Sequence, residues 1–393
     1  MSVALDPSYL QALSLFEGGD LEGARKLLES IVENLPLESD AQNDLGAIYF
    51  LQGLPERALG PASIALALDS RNTSYRENFD AIISALRRSS ERTGNSPIRL
   101  AMFYDEEGWA WWIRSHAIKR SLPADFEVNI LQLNTFVDHT KYDFLLIFDH
   151  NIVREVRGIT ENPREKIVLA NSCPLYILEA DQSLKANGYP AAIVNNLTAF
   201  KKLNSDRRWH CCENGVDTSL FVPPKTRPTS FMAGWVGNSL SIGQKGLDII
   251  EAACRLADVP LLIVDAKDKP KDIKANSQEW LRDNLYHKTS VYLCASLYEG
   301  TPNPALEALA CALPVISTAV GNIPELIKDG VNGYIVERNV EAMAAAIRAV
   351  KEKDLSEAAR NTVSPSWDWS VKAQNYANIF RALKKDQPVA HGG

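Results

Sequence analysis

The chain lacks the sequence patterns that mark several large classes of protein. It has 393 residues and a net charge of −7, and no long basic run offsets that balance, which argues against general nucleic-acid binding. No apolar run approaches the roughly 18 residues that a membrane-spanning helix needs. The first residues do not have the layout of a signal peptide, and the six cysteines show no metal-type spacing. We therefore expect a cytoplasmic protein with reduced thiols.

Several motifs for catalysis and cofactor binding are also missing. There is no Asp-x-Asp pair to hold a metal ion on a diphosphate, and the six histidines have no paired spacing, so we expect no metal site. No Gly-x-Ser-x-Gly nucleophile turn occurs. The dinucleotide pattern Gly-x-Gly-x-x-Gly is not met either, which disfavours redox chemistry with NAD. We therefore expect no bound cofactor.

Residues 1–92 contain an internal repeat. Positions 34 residues apart pair Gly19 with Gly53 and Ala24 with Ala58. This period, with small residues at fixed places, indicates tetratricopeptide-like helical repeats, which a further helix would cap. The alternative is a generic pair of helical hairpins. We expect this all-α segment to recruit a protein partner or an acceptor rather than to catalyse a reaction.

The rest of the chain has the pattern of two parallel α/β domains. Apolar segments of strand length alternate with helix-like segments in residues 97–212, and a second alternation fills residues 213–363. Residues 364–385 are predicted as an amphipathic helix and residues 386–393 as a polar tail. The stretch 87–97 is rich in polar and helix-breaking residues and is predicted as a linker. Two such domains in tandem enclose a cleft, where ligands are usually bound.

The segment SLYEGTPNPALE, residues 296–307, carries two carboxylates around a predicted helix start. Asn303 is expected to cap that helix, and Pro304 to occupy its first position. Glu299 then lies on the loop at the carboxyl end of a strand, and Glu307 in the first turns of the helix. Backbone N–H groups at a helix start attract phosphate, and carboxylates accept hydrogen bonds from sugar hydroxyls. The segment therefore suits a nucleotide sugar.

In the second α/β domain, further candidates follow the first strand. Gly237 lets the backbone approach a ligand closely, and Lys245 offers a positive charge to a diphosphate. The ordinary alternative is a solvated lysine near a helix start. Together with Glu299 and Glu307, however, Lys245 predicts a phosphate clamp opposite a wall that binds hydroxyls.

The first α/β domain has cleft-facing candidates of its own. Gly108 lies at a strand-to-helix turn, and the neighbouring Trp109 is suited to stacking on a sugar or an aglycone. Tryptophans in such a place also anchor a helix to its sheet, and for Trp112 this alternative is at least as strong. Asn171 and Ser172 end another predicted strand, and we expect them to contact the substrate.

From residue 227 onward the chain resembles the retaining GT-B glycosyltransferases of family four, the glycosyl-transferases group 1. The motifs that carry the resemblance are GWVGN followed by a Lys-Gly pair, EGTPNPALEALACALPVISTAVGNIPELIKDGVNGYIV, and NGVDTSLF, which lies just before this region at residues 214–221. The second of these contains the family's Glu-x7-Glu, as Glu299 and Glu307. The resemblance implies a GT-B fold of two Rossmann-like domains that face a cleft, here preceded by the helical repeats. It also implies that the final helix crosses back to the first domain.

The resemblance assigns roles to individual residues. It implies that Glu307 binds the ribose hydroxyls of the donor, that Glu299 contacts the transferred sugar, and that Lys245 lies on the diphosphate. Further donor contacts are expected from Gly237, Asn238, Gly300, Thr301, Pro302 and Asn303. The arginine usual after the first-strand glycine is replaced by Asn238, and a histidine usual in the first domain is replaced by Asn171.

We therefore predict a metal-independent, retaining glycosyltransferase that moves a sugar from a UDP- or GDP-linked donor to a hydroxyl of a protein or glycan. Lys245 and the helix start would stabilise the departing diphosphate, and domain closure would exclude water. Contact with a membrane surface is left open. Two alternatives remain: a non-catalytic interaction protein built of repeats and a GT-B body, and a nucleotide-sugar epimerase of the same architecture.

Overall fold

The computed structural model describes residues 7–35, 38–69, 72–90, 97–156, 163–171, 173–203, 206–239, 241–265, 278–364 and 366–386. The chain forms two compact units. The first comprises Met1–Ser96 and Pro123–Asp125, and the second comprises Pro97–Leu122 and Phe126–Gly393. Among the described residues, none of the helices has the length and apolar character needed to cross a membrane.

Five α-helices make up the described part of the first unit. They are α1 (Pro7–Glu17), α2 (Leu21–Asn34), α3 (Ser39–Leu51), α4 (Pro55–Leu68) and α5 (Thr73–Ser90). Gly19 and Gly53, predicted to be equivalent, follow the ends of α1 and α3 with φ of 83° and 75°, a conformation that glycine adopts without strain. The predicted linker is wrong in its first four residues, since α5 continues to Ser90. Arginine and serine do not by themselves end a helix.

Small residues and polar bonds join these helices. A Cβ built at Gly46 in α3 would lie 3.1 Å from the carbonyl oxygen of Ala58 in α4, so the two helices approach closely there. Successive odd-numbered helices are linked by hydrogen bonds: the Tyr9 hydroxyl donates to Asp44 at 2.7 Å, and Asn78 donates to Asn43 at 3.0 Å. A helical segment is therefore present as predicted, while its tetratricopeptide nature stays a prediction.

The second unit contains a first parallel sheet of six described strands. They are β1 (Ile98–Tyr104), β2 (Phe126–Gln132), β3 (Phe144–Ile147), β4 (Ile167–Asn171), β5 (Ala191–Val194) and β6 (Trp209–Cys211), in the order β2-β1-β3-β4-β5-β6. Strands β3, β4 and β5 are buried along their whole length, as expected for parallel strands covered on both faces. The sequence did not predict β6, because three residues are too few to show a period.

A second parallel sheet has five described strands. They are β7 (Ala233–Gly237), β8 (Leu261–Asp265), β9 (Val291–Cys294), β10 (Val315–Ser317) and β11 (Gly333–Ile335), in the order β11-β10-β9-β7-β8. Its core is formed with two amphipathic helices and includes Ile250, Leu293 and Ile347, none of which is exposed to solvent. Two parallel, Rossmann-like sheets are therefore present, which confirms this part of the predicted fold.

The remaining helices of the second unit connect and cover the strands. They are α6 (Ala110–Ser121), α7 (Ile177–Asn187), α8 (Leu197–Phe200), α9 (Ile242–Lys245), α10 (Leu247–Ala257), α11 (Gln278–Leu281), α12 (Asn303–Ala310), α13 (Ile323–Leu326), α14 (Val340–Lys351), α15 (Ser356–Val363) and α16 (Trp369–Asp386). Helix α16 begins at Trp369 rather than at residue 364, and Asp368 accepts a hydrogen bond from the Ser370 N–H at 2.8 Å. It packs on the first sheet, where the rings of Phe380 and Phe144 lie 5.5 Å apart.

Candidate functional site

A cavity of about 430 Å³ is lined by residues of both α/β domains, each of which contains one of the two sheets. The first domain contributes the turn between β1 and α6. The second domain contributes the carboxyl end of β7, the α9 turn and the start of α12. In open α/β sheets, ligands bind in the crevice at the carboxyl ends of the strands. The cavity is therefore the strongest candidate site among the described residues.

Most residues predicted for the site line this cavity. They are Gly108, Trp109, Gly237, Asn238, Lys245, Asn303 and Glu307. Glu299, Gly300, Thr301 and Pro302 are not among the lining residues, although Glu299 bonds to Lys245, which is. Ser172 lies outside the described residues, and Asn171 lies elsewhere at the end of β4.

Lys245 and Glu299 form an ion pair. The Lys245 Nζ lies 2.5 Å from Oε1 of Glu299, and the Ser296 hydroxyl donates to the same oxygen at 2.8 Å. Both charged side chains are largely shielded from solvent, with 28% and 15% of their surface exposed, so the attraction is screened less than at a free surface. An anionic ligand that reaches Lys245 would therefore compete with Glu299 or share its lysine.

Glu307 lies in α12 with only 8% of its surface exposed. The hydroxyl of Tyr286, which is fully buried, donates to its Oε2 at 2.6 Å. Burial raises the pKa of Tyr286 well above its usual range, so the phenol stays a donor and orients the carboxylate. Tyr286 ends the π-helical turn Arg282–Tyr286. No sequence motif marks it, because its bond to Glu307 arises from packing.

Asn303 does not cap α12, contrary to the prediction. The helix begins at Asn303 itself, and Pro302, which holds the capping position, makes no side-chain capping bond. Instead Asn303 Oδ1 accepts a hydrogen bond from Asn214 Nδ2 at 3.0 Å, and its N–H donates to the Thr301 carbonyl at 2.9 Å. The Asn303 side-chain oxygen, which a cap would use to accept a backbone N–H bond, accepts the bond from Asn214 instead. Asn303 thus ties the start of α12 to the segment between the two sheets.

The turn between β1 and α6 brings one tryptophan to the cavity. Gly108 has φ of 84°, and Trp109 follows it with 42% of its surface exposed. Trp111 instead stacks on Phe148 with ring centroids 6.3 Å apart, and Trp112 lies 4.0 Å from the ring of His116. Of these three tryptophans, Trp109 alone is among the residues lining the cavity.

Asn171 has a local structural role in this structure. Its side chain is 2% exposed, and Nδ2 lies 3.1 Å from Nδ1 of His150. Its Oδ1 accepts a hydrogen bond from the Cys173 N–H at 3.1 Å. These bonds hold His150 and Cys173 beside the end of β4, and Asn171 is not among the residues that line the cavity.

Close backbone contacts shape the loop between Glu299 and α12. Gly321 has φ of 53°, and a Cβ at this position would collide with the carbonyl oxygen of Gly300 and lie 3.1 Å from Cδ of Pro302. The Thr301 hydroxyl donates to the carbonyl of Asn195 in the first domain at 3.4 Å. The predicted loop residues are therefore held from two sides, by the second domain's own backbone and by the first domain.

Two further bonds join the domains next to this loop. The Thr198 hydroxyl donates to the Gly321 carbonyl at 2.9 Å, and the Leu197 N–H donates to Oε1 of Glu325 at 3.0 Å. Burial, with the nearby carboxylate of Glu213, raises the pKa of Glu325 to about 8. Sequence analysis did not identify these contacts, because the partners lie more than a hundred positions apart, with separations of 123 and 128.

A metal site is not visible in the described residues. They contain no group of three or more His, Cys, Asp or Glu side chains that could hold a metal ion.

A family model matches part of the second domain. Residues 235–353 match the model of the family described as glycosyl transferases group 1. The matched segment includes Lys245, Glu299 and Glu307. For this segment, the predicted resemblance to the glycosyl transferases group 1 is confirmed.

Curated relatives are similar over limited lengths. The chain is 28% identical over 232 residues to the alpha-maltose-1-phosphate synthase of Mycolicibacterium smegmatis, which covers 48% of this chain and 60% of that protein. It is 32% identical over 107 residues to the D-inositol 3-phosphate glycosyltransferase of Geodermatophilus obscurus, covering 27% of this chain and 24% of that protein. The chain thus spans at most 60% of the length of these two relatives.

Solved structures show the fold. Sucrose-phosphate synthase from Thermosynechococcus elongatus matches with a TM-score of 0.59 and 15% identity, over 74% of this chain and 100% of that chain. Anabaena Alr3699/HepE in complex with UDP-glucose matches with a TM-score of 0.53 and 16% identity, over 73% and 100%. At these identities the likeness concerns architecture, which is GT-B-like with two Rossmann-like parallel sheets.

Proposed function

We propose that the protein is a metal-independent, retaining glycosyltransferase that uses a nucleotide sugar as donor. The observation that carries the proposal is the arrangement around the start of α12, where Lys245, paired with Glu299, and the oriented carboxylate of Glu307 belong to one cavity. The match of this segment to the glycosyl transferases group 1 supports the reaction class.

In this proposal Glu307 binds the ribose of the donor. The Tyr286 hydroxyl holds this carboxylate in place, and a carboxylate accepts hydrogen bonds from sugar hydroxyls. Lys245 serves the diphosphate, and Glu299 serves the transferred sugar while it orients Lys245. The donor is UDP- or GDP-linked. UDP is favoured by the UDP-glucose complex of a protein with the same architecture.

The chemistry follows from charge. The bond between the sugar C1 and the diphosphate oxygen breaks, and negative charge develops on that oxygen, where Lys245 stabilises it. The acceptor hydroxyl oxygen attacks C1 from the same face, and its proton passes to the departing phosphate. Atoms and charge balance without a protein nucleophile or an external base. Closure of the two domains would keep water out, and the bonds from Thr198 and Leu197 to the second domain join the domains beside the site.

The acceptor enters from the side of the first domain. Trp109 is exposed at the cavity, and the apolar side chains of Ile113, Leu281 and Trp369 lie nearby in its lining. An aromatic face beside apolar walls suits a sugar ring or an apolar aglycone. We propose that the acceptor is a glycan or a protein hydroxyl, and that the helical unit recruits it or a partner.

Calorimetry with the substitution Glu307→Gln tests the donor site. UDP and GDP are titrated into wild-type protein, Glu307→Gln and the exposed-surface control Glu341→Gln. Loss of the ribose contact should weaken binding of the accepted nucleotide about tenfold, the size of one charged hydrogen bond, while the control binds as wild type. Equal affinities of Glu307→Gln and wild type would rule out the ribose role.

A second function, donor binding without turnover, is favoured by Asn238 and by the engagement of Lys245 with Glu299. Donor hydrolysis across UDP- and GDP-sugars, followed by product analysis, separates the cases. A released sugar that keeps its anomeric configuration supports the transferase, and an altered sugar on the nucleotide indicates an epimerase. A donor that binds tightly and is never consumed indicates the non-catalytic protein.

A further inference from the structure

Arg338, between β11 and α14, joins the two segments that carry Lys245 and Glu299. Its Nε donates to the Ala295 carbonyl, directly after β9, at 2.8 Å. Its Nη2 donates to the Gly243 carbonyl in the α9 turn, also at 2.8 Å. Because the guanidinium is planar, two such bonds fix the distance and angle between the two carbonyls.

The α9 turn depends on such contacts. It has four residues, Ile242–Lys245, which is too short to be stable by itself. Gly246 after it has φ of 64°, and a Cβ there would collide with the Ala295 carbonyl oxygen that Arg338 bonds. The Leu297 N–H donates to the Gln244 carbonyl at 2.8 Å. The turn thus packs closely on the chain between β9 and Glu299. Arg338 links the two by one bond to each of them.

We propose that Arg338 is a positioning residue that sets the place of the Lys245–Glu299 pair and so the recognition of the donor diphosphate. This inference rests on the proposed function, because it takes Lys245 as the cation that meets the diphosphate. Arg338 is not among the residues lining the cavity, so its influence on a ligand passes through the α9 turn. Lysine cannot replace it fully, because one ammonium lacks the rigid fork that spans both carbonyls.

The test compares diphosphate with monophosphate binding. UDP, UMP, GDP and GMP are titrated by calorimetry into wild type, Arg338→Met, Arg338→Lys, Lys245→Met and the double variant. Arg348→Met is the matched control, since Arg348 also donates from its side chain to a backbone carbonyl, that of Leu256, in the same domain. Thermal unfolding of each variant shows whether it folds. If Arg338→Met does not fold, the nucleotide preference of Arg338→Lys provides the test.

We expect Arg338→Met to reduce the preference for diphosphate over monophosphate about tenfold, the effect typical of a partner that orients a ligand-binding group. Arg338→Lys should lie between Arg338→Met and wild type. The double variant should be no weaker than Lys245→Met alone, because a positioning residue has nothing left to position. The control should keep the wild-type preference.

Two results would overturn the inference while the proposed function stands. In the first, Arg338→Met keeps the wild-type preference for diphosphate over monophosphate, while Lys245→Met has lost that preference. The other is a double variant whose loss equals the combined losses of the single variants. If wild-type protein binds none of the four nucleotides, the proposed function fails and this inference fails with it.

Discussion

The backbone N–H of Leu197 donates to Oε1 of Glu325 at 3.0 Å, and this bond joins the first α/β domain to the second. The other oxygen of Glu325 is shielded from solvent and has no hydrogen-bond partner among the described residues. The adjacent Thr198 hydroxyl bonds the Gly321 carbonyl, and Gly321 in turn contacts Gly300 in the loop before α12. The contact between the domains therefore lies next to the loop that precedes α12 in the candidate site.

Glu325 predicts a dependence of stability on pH. Burial and the carboxylate of Glu213 raise its pKa to about 8 against the backbone bond from Leu197 and the charges of Lys372 and Lys201, which lower it. Because the folded-state pKa is above the unfolded value of 4.5, its contribution to stability is fully present below that value. It is lost as pH rises towards about 8.

The substitution Glu325→Gln tests this dependence, because glutamine keeps an acceptor for the Leu197 N–H and cannot ionise. Relative to this variant, the unfolding free energy of wild type should fall by a few kcal/mol between pH 5 and pH 9, because each unit of difference between the folded and unfolded pKa corresponds to about 1.4 kcal/mol. Urea unfolding at several pH values measures it, with the exposed Glu357→Gln as control. Parallel curves for wild type and Glu325→Gln would contradict the prediction.

Gly321→Ala should weaken donor binding through the loop before α12. The new Cβ would meet the Gly300 carbonyl oxygen at a φ of 53°, so Gly300 must shift. Gly330→Ala is the matched control, since Gly330 has φ of 68° but its Cβ would meet nothing nearer than the Tyr334 hydroxyl at 3.5 Å. Both variants carry the backbone strain of about 1 kcal/mol, which thermal unfolding reports.

For Gly321→Ala, calorimetry should show a loss of nucleotide affinity of about tenfold beyond that of Gly330→Ala. Equal affinities for the two variants would show that the Gly300 contact does not matter for binding.

Tyr286→Phe should weaken nucleotide binding without a change in fold. It removes the hydroxyl that donates to Glu307 at 2.6 Å and leaves the ring that packs on Phe221 and Tyr292. Loss of one hydrogen bond to a charged group lowers the stability of the fold by about 1.5–3 kcal/mol. Because Glu307 is then no longer oriented, we expect about a tenfold rise in the dissociation constant of the nucleotide. Tyr334→Phe, in β11, serves as control. In the background of Glu307→Gln, Tyr286→Phe should add little, and full additivity would count against the coupling.

Local sequence patterns predicted the parts of the site that depend on neighbours in the chain. Glu299 and Glu307 are brought to opposite sides of a helix start because the strand, turn and helix that carry them are continuous. Short-range patterns also predicted most strands, since each is a compact apolar run between turn residues. The cap at Asn303 was wrong for a tertiary reason, because Asn214 bonds the side chain that the cap would have used.

The sequence by itself thus determined the order of helices and strands, the two parallel sheets and the motif around Glu299 and Glu307, because hydrophobic period and turn residues act over short distances. Only the tertiary structure decided that Tyr286 holds Glu307, that Arg338 braces the α9 turn and that Glu325 joins the domains. These partners meet through the stacking of strands and the packing of helices, and no spacing along the chain records such encounters. It also decided that Lys245 is held by Glu299, which makes the predicted phosphate clamp an ion pair.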